Sequence, residues 1–215
     1  LLRRTRIAMT RPGFRKTRTS SQPAAGGREA ESGFLSGSLF SQAQILHLMR
    51  NEFARARRYG LPLACIVLQF DRLPQLVDLY GAELRHSVRA AMAELVRDKT
   101  RGSDLLGTTN DDRYLLVLPH TDLAGARLVA GRLLEAFRGL EVVADGKPLA
   151  LSVSIGVSSI VDHKAVFFDT LLNQAESALA DAARAGGDAV RSFGESQLRQ
   201  DGGDPAPPPA GGERS

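Results

Sequence analysis

The apolar residues of this chain alternate between two spacings. Across residues 42–58, Ile45, Leu48, Met49 and Phe53 recur on one helical face. The run "LPLACIVLQF" follows, bounded by Gly60 and Pro62, and predicts a buried strand. Residues 71–80 read as a short helix, and a second helix follows with Leu84, Val88, Met92 and Leu95 on one stripe. Two strands, 104–108 and 114–119, stand at hairpin distance. Thr121 and Asp122 are N-cap candidates for a helix burying Ala126, Val129, Ala130, Leu133 and Phe137. A short strand pair flanks a turn at Asp145 and Gly146, and "LALSVSIGVSSI" reads as a longer strand. The last helix, 168–185, carries Leu171, Leu172, Ala175, Ala178, Leu179 and Ala182, and Gly186 and Gly187 stop it. "DAVRSF" reads as a final short strand. This order predicts an α/β (α+β) domain, a central mixed sheet with helices on its faces; the hairpin excludes an all-parallel sheet.

Composition trims the possibilities. The chain has 215 residues, 43% apolar and 24% charged, which suits one globular domain with tails. No window approaches the apolar length of a membrane-spanning helix. No apolar run follows the N-terminal arginines, so no secretory leader is read. The one cysteine, Cys65, lies in an apolar run and reads as a buried small hydrophobe, which fits a reducing cytoplasm. The net charge of +4 and the pI near 9.6 suggest nucleic acid until position is considered. Residues 1–32 hold eight basic and two acidic residues, a net +6, which leaves residues 33–215 at −2. The folded part is therefore a poor binder of phosphate backbones. Residues 1–32 read as a disordered basic arm, able to touch nucleic acid, anionic lipid or an acidic partner, or to have no role. Residues 195–215 read as a disordered Pro/Gly-rich tail, and no internal repeat is found.

Residues 33–194 resemble the GGDEF domain of diguanylate cyclases. The family's D-x-L-T-G-L turn is similar to "GFLSGSL", with the leading Asp gone, and its D-x-D-x-F-K and I-N-D elements to "QFDRLP" and "LVD". The R-x-x-D, strand, GG(D/E)EF and L-P succession appears as "RGSD", "LLGTT", "NDDRY" and "LLVLP". T-V-S-I-G-V appears as "SVSIGVS", and the last helix motif as "AESALADAARAGGD". The resemblance implies the nucleotide-cyclase palm-like fold, a central, mostly antiparallel sheet, and a place in bacterial signal transduction.

Such cyclases join two GTP molecules into cyclic di-GMP, using carboxylates to hold divalent ions and cations to hold the triphosphate. Position by position, this chain departs from that need. The first metal-binding Asp is Gln69; the second survives as Asp71. The guanine-reading Asn is Val77, and the neighbouring Asp survives as Asp78. The two hairpin glycines are Asn110 and Asp111, the third position keeps a carboxylate in Asp112, and Arg113 replaces the Glu. The phosphate-binding Lys and Arg are Ala183 and Gly187, and Arg184 beside Ala183 is turned about 100° away on a helix. Metal, guanine and phosphate contacts go together, so the expectation is a pseudoenzyme without catalytic residues, metal or other cofactor. Asp71 and Asp78 can then cap or solvate, and "NDD" is ordinary turn chemistry.

The family's inhibitory site, which binds an intercalated pair of cyclic di-GMP molecules, is matched by Arg101-Gly-Ser-Asp104. Arg can pair with guanine O6 and N7, or reach phosphate, and Asp can accept from guanine N1–H and the 2-amino group. The resemblance adds Arg132, from the helix after the hairpin, and Arg55, from the end of the first helix across a dimer contact. Without a ligand, R-x-x-D would be a surface ion pair of little energetic worth. The expected function is a cyclic di-GMP receptor that relays to a protein partner, with a homodimer able to form through the ligand. The alternatives are a nucleotide-independent scaffold using the basic arm, and a residual cyclase or GTP-binding module resting on Asp71, Asp78 and Asp112.

Overall fold

The computed structural model describes residues 6–8, 39–109, 112–144, 147–149, 151–160 and 167–194. In chain order the elements are β1 (Arg6–Ala8), α1 (Gln42–Tyr59), β2 (Leu63–Phe70), α2 (Leu73–Tyr80), α3 (Ala82–Lys99), β3 (Leu105–Thr108) and β4 (Arg113–Pro119). They continue as α4 (Leu123–Arg138), β5 (Glu141–Ala144), β6 (Lys147–Leu149), β7 (Val153–Ser159), α5 (Phe168–Arg184) and β8 (Ala189–Ser192).

β2 is the centre of the molecule because nearly all of it is apolar. Only Gln69 of its eight residues is not fully buried. Such a strand needs cover on both faces and both edges. β4 and β7 flank it, both antiparallel, and the sheet order is β3-β4-β2-β7-β8. β8 runs parallel to β7, so the sheet is mixed and mostly antiparallel, as expected. The period of two sorts the core. Ala64, Ile66, Leu68 and Phe70 face a cluster with α3 and α4; Leu63, Cys65 and Val67 face one with α1 and α5. Cys65 is buried, and desolvation pushes its thiol up to about 12, which makes it inert at neutral pH.

Local chemistry sets the helix ends. Ser41 and Gln44 form a reciprocal capping box at α1, and Gly60, at φ 65°, closes it in the left-handed conformation. Of the two cap candidates before α4, Asp122 takes the role, accepting from the Gly125 N–H at 2.8 Å. The outer edge of β3 is covered: Phe40 N donates to Leu106 O and Thr108 N to Phe40 O. Gly107 lets α1 lie there, since a Cβ on it would stand 2.5 Å from Ile45 Cβ.

Two expectations change. The helix read from residue 71 begins at Leu73, because Asp71 is drawn toward β7 and Arg72 turns left-handed at φ 59°. Within the arm read as disordered, Arg6–Ala8 pair in parallel with β5, extending a small second sheet of order β1-β5-β6. "RIAM" is the stretch there with some β-forming character, and β5 offers it a free edge. The rest of the arm, the "GFLSGS" turn, the Asp145–Gly146 turn and the C-terminal tail lie outside the described residues. No described helix is long and apolar enough to cross a membrane.

Candidate functional site

Two regions hold the sequence-predicted residues. The first is the end of the sheet at the β3–β4 hairpin. The strands pair up to Thr108 and Tyr114, and Thr109 N donates to Arg113 O. Asn110 and Asp111, at the tip, lie outside the described residues. Asp112 takes φ 57° and forms an ion pair with Arg85 on α3 at 3.1 Å. Arg113 sits opposite Gln69 in the β2–β4 register, and its Nε donates to Gln69 Oε1 at 3.3 Å. Two of the positions that the resemblance assigns to carboxylates thus hold an amide and a guanidinium bound to one another.

Asp71 is neither a cap nor a solvated surface acid, which corrects that expectation. Ser152 Oγ donates to its Oδ2 at 2.8 Å and Ser154 Oγ to its Oδ1 at 2.7 Å. The Asp188 N–H adds a 3.2 Å bond to Oδ2. The carboxylate ties the end of β2 to the start of β7 and the turn before β8. Gly187 makes the approach possible: its φ is +78°, and a Cβ there would stand 2.5 Å from Asp71 Oδ2. Arg138, the last residue of α4, extends the tie, its Nε donating to both Asp188 carboxylate oxygens at 3.2 and 2.9 Å. Val77 is half-buried against the core, while Asp78 and Ala183 are exposed. Arg184, beside Ala183, pairs with Asp181.

The second region is a cavity of about 540 Å³ between the end of α3, the turn that follows it and the first half of α4. Arg101, Asp104 and Arg132 all line it. The turn is self-organised: Asp104 N donates to Arg101 O at 3.0 Å, and Asp104 Oδ2 accepts from Arg101 N at 2.8 Å. Neither the Arg101 nor the Arg132 guanidinium has a hydrogen-bond or ion-pair partner among the described residues. Desolvation raises the Asp104 carboxyl above its ordinary 3.8, against the pull of the Arg101 N–H and guanidinium. The cavity therefore offers two guanidiniums free of hydrogen bonds and one partly buried acceptor, a set that suits an anionic ligand with a donor edge. Its volume lies in the range of small-molecule sites.

Arg55 is not part of this cavity within one chain. It pairs with Glu52 at 3.1 Å on α1, beside a separate cleft with Pro119 and His120. Lys99, Thr121, Gly125, Leu128 and Val129 also line the cavity, and none of them was expected as a site residue. The available signal was the spacing of 125, 128, 129 and 132, one stripe of a helix. Val129, expected in the core, is half-buried, packing against the core and also lining the cavity.

The geometry agrees with known proteins. Residues 37–189 match the family described as "Diguanylate cyclase, GGDEF domain". The diguanylate cyclase DgcP of Pseudomonas aeruginosa is 26% identical over 148 residues, 69% of this chain and 22% of DgcP, so the chain spans a small part of that relative's length. The structure is similar to that of the diguanylate cyclase SiaD, solved with its activator SiaC from Pseudomonas aeruginosa (28% identity, TM-score 0.66, 72% of this chain and 58% of that one). The GGDEF domain of DgcB from Caulobacter crescentus, solved with c-di-GMP, shares the fold at 16% identity (TM-score 0.67, 79% and 99% of the two chains). Matched across most of its described core, the chain belongs to the GGDEF domain family.

Proposed function

We propose that this chain is a catalytically silent GGDEF domain that binds cyclic di-GMP beside the Arg101–Asp104 turn and passes its occupancy to a protein partner, in the cytoplasm. The observation that carries the reading is the convergence of Arg101, Asp104 and Arg132 on one cavity, with both guanidiniums uncommitted. Arg101 and Asp104 present the donors and acceptor that match a guanine edge, and Arg132 supplies a cation for phosphate. The solved DgcB domain holds c-di-GMP, and SiaD is solved with a protein activator, so both kinds of partner have precedents in the fold.

Silence is supported by the hairpin end of the sheet. A cyclase needs a divalent ion there, held by oxygen ligands. The residues present do not fit one. Gln69 is uncharged, and its oxygen accepts from the Arg113 guanidinium, a fixed cation that repels a second. Both Asp71 oxygens already accept hydroxyl hydrogen bonds. Calorimetry should give micromolar or tighter binding of cyclic di-GMP, abolished by Arg101→Ala; no heat from the unaltered chain would sink the reading. Incubation with GTP and Mg²⁺ or Mn²⁺ should yield no cyclic di-GMP, and product above a heat-killed control would overturn silence.

The raised Asp104 carboxyl adds a pH dependence. An ionised carboxylate is the stronger acceptor for guanine N1–H, so affinity should fall as pH is lowered through a window opening above 3.8. The sign for the empty fold is opposite. The folded state takes up this proton before the unfolded state does, so acidification through that window relieves the cost of burying the charge. Paired titrations of affinity and of unfolding midpoint should therefore move in opposite directions at Asp104, and both responses should vanish in Asp104→Asn.

A further inference from the structure

The helix α4 buries one apolar stripe in the core and turns a second arc, which meets the core at Val129, to the cavity. Ala126, Ala130, Leu133, Leu134 and Phe137 are buried under the sheet. Gly125, Leu128, Val129 and Arg132 lie on a different arc of about 100°, and all four line the cavity. Leu128 is 70% exposed. A lone exposed leucine is common on helices. This one continues, with Val129, an apolar strip between a glycine and a free guanidinium. The facing wall is polar: Asp98 and Lys99, paired at 2.6 Å, then Thr100, Arg101 and Asp104.

A cavity with one polar and one apolar wall suits a flat ligand with a polar rim and apolar faces, which is the shape of a purine base. Guanine edge contacts at Arg101 and Asp104 would leave the base faces uncovered by that wall. Gly125 begins the stripe, packed so closely that a Cβ on it would stand 3.1 Å from both Asp122 Oδ1 and Thr121 Cγ2, and Arg132, one turn beyond Leu128, adds a cation for a phosphate carried on the sugar of such a ligand. We infer that Leu128, with Val129 beneath it, forms the stacking wall of the cavity, and that Leu128 is a specificity-determining residue for purine-bearing ligands. This rests on the cyclic di-GMP reading above. Burial of Leu128 by a ligand removes apolar surface from water and makes the heat-capacity change of binding more negative.

The test is calorimetry with cyclic di-GMP at several temperatures, on the full chain. Leu128→Ala should weaken binding roughly tenfold, the size expected for losing part of a buried leucine. Its heat-capacity change should be less negative, and the melting temperature of the unliganded protein should not move, because the side chain is exposed. Leu128→Met should keep wild-type affinity. Arg132→Ala should weaken binding with little change in heat capacity. Leu79→Ala, equally exposed on α2 at 72%, should change nothing. If Leu128→Ala binds like wild type with the same heat-capacity change, the stacking wall is wrong while the Arg101–Asp104 reading stands. If the unaltered chain does not bind at all, both fall.

Discussion

Gly156→Ala is expected to destabilise the domain strongly. Gly156 lies inside β7, and α5 crosses it so closely that a Cβ would stand well inside contact distance of Ala175 O and Leu179 N, and 2.8 Å from Leu179 Cα. All three obstacles are backbone atoms of a helix. No rotamer change relieves them, so α5 must move away from the sheet. α5 brings Leu171, Ala175 and Leu179 to the core on this face, all nearly or fully buried. Lifting it exposes them together. Overpacking costs typically about 1–3 kcal/mol where side chains can yield, and rigid backbone puts this case at or beyond the upper end. Thermal unfolding followed by circular dichroism should show a midpoint lower by roughly 10 °C or more, or no cooperative transition. An unchanged midpoint would mean that α5 does not sit where the structure has it.

Asp71→Ala is the second large effect. The substitution removes the acceptor for Ser152, Ser154 and the Asp188 N–H in one step. Ser154 is 1% exposed, so its hydroxyl has little access to water as a replacement. Leaving buried donors unmatched costs about 1–3 kcal/mol each, and hydroxyl rotation recovers part of it, so a loss of about 2–4 kcal/mol is expected. Urea unfolding measures this directly as a shifted midpoint. Asp71→Asn keeps one carbonyl oxygen and should lose less. Adding Mg²⁺ should not raise the midpoint of the unaltered chain; a clear rise that Asp71→Ala removes would return this residue to metal binding.

Much of the fold was legible because burial and period are local signals. β2 announced itself by an unbroken apolar run, and α1, α3, α4 and α5 by stripes at helical spacing. The cavity was half legible. Arg101 and Asp104 are three residues apart, and the turn that joins them is closed by one backbone hydrogen bond and one from the Arg101 N–H to the Asp104 carboxylate. Leu128 escaped, since one leucine outside a core stripe carries no label until the opposite wall is in place. Asp71 escaped for a different reason. Its partners are far away in sequence, and nothing near it says whether the carboxylate faces water or other strands. The start of α2 moved with it: the residue read as the first of the helix is held by β7 instead.

The bonds of Asp71 close loops of 81, 83 and 117 residues. Closing loops of that length costs chain entropy that one hydrogen bond cannot offset. They can form only after β2, β7 and β8 have come together, which places them on the native side of the folding barrier. Interactions made that late barely affect how fast a chain folds and mainly slow its unfolding. Asp71 is then a late-closing clasp, and it governs how long the folded chain lasts more than how quickly it forms.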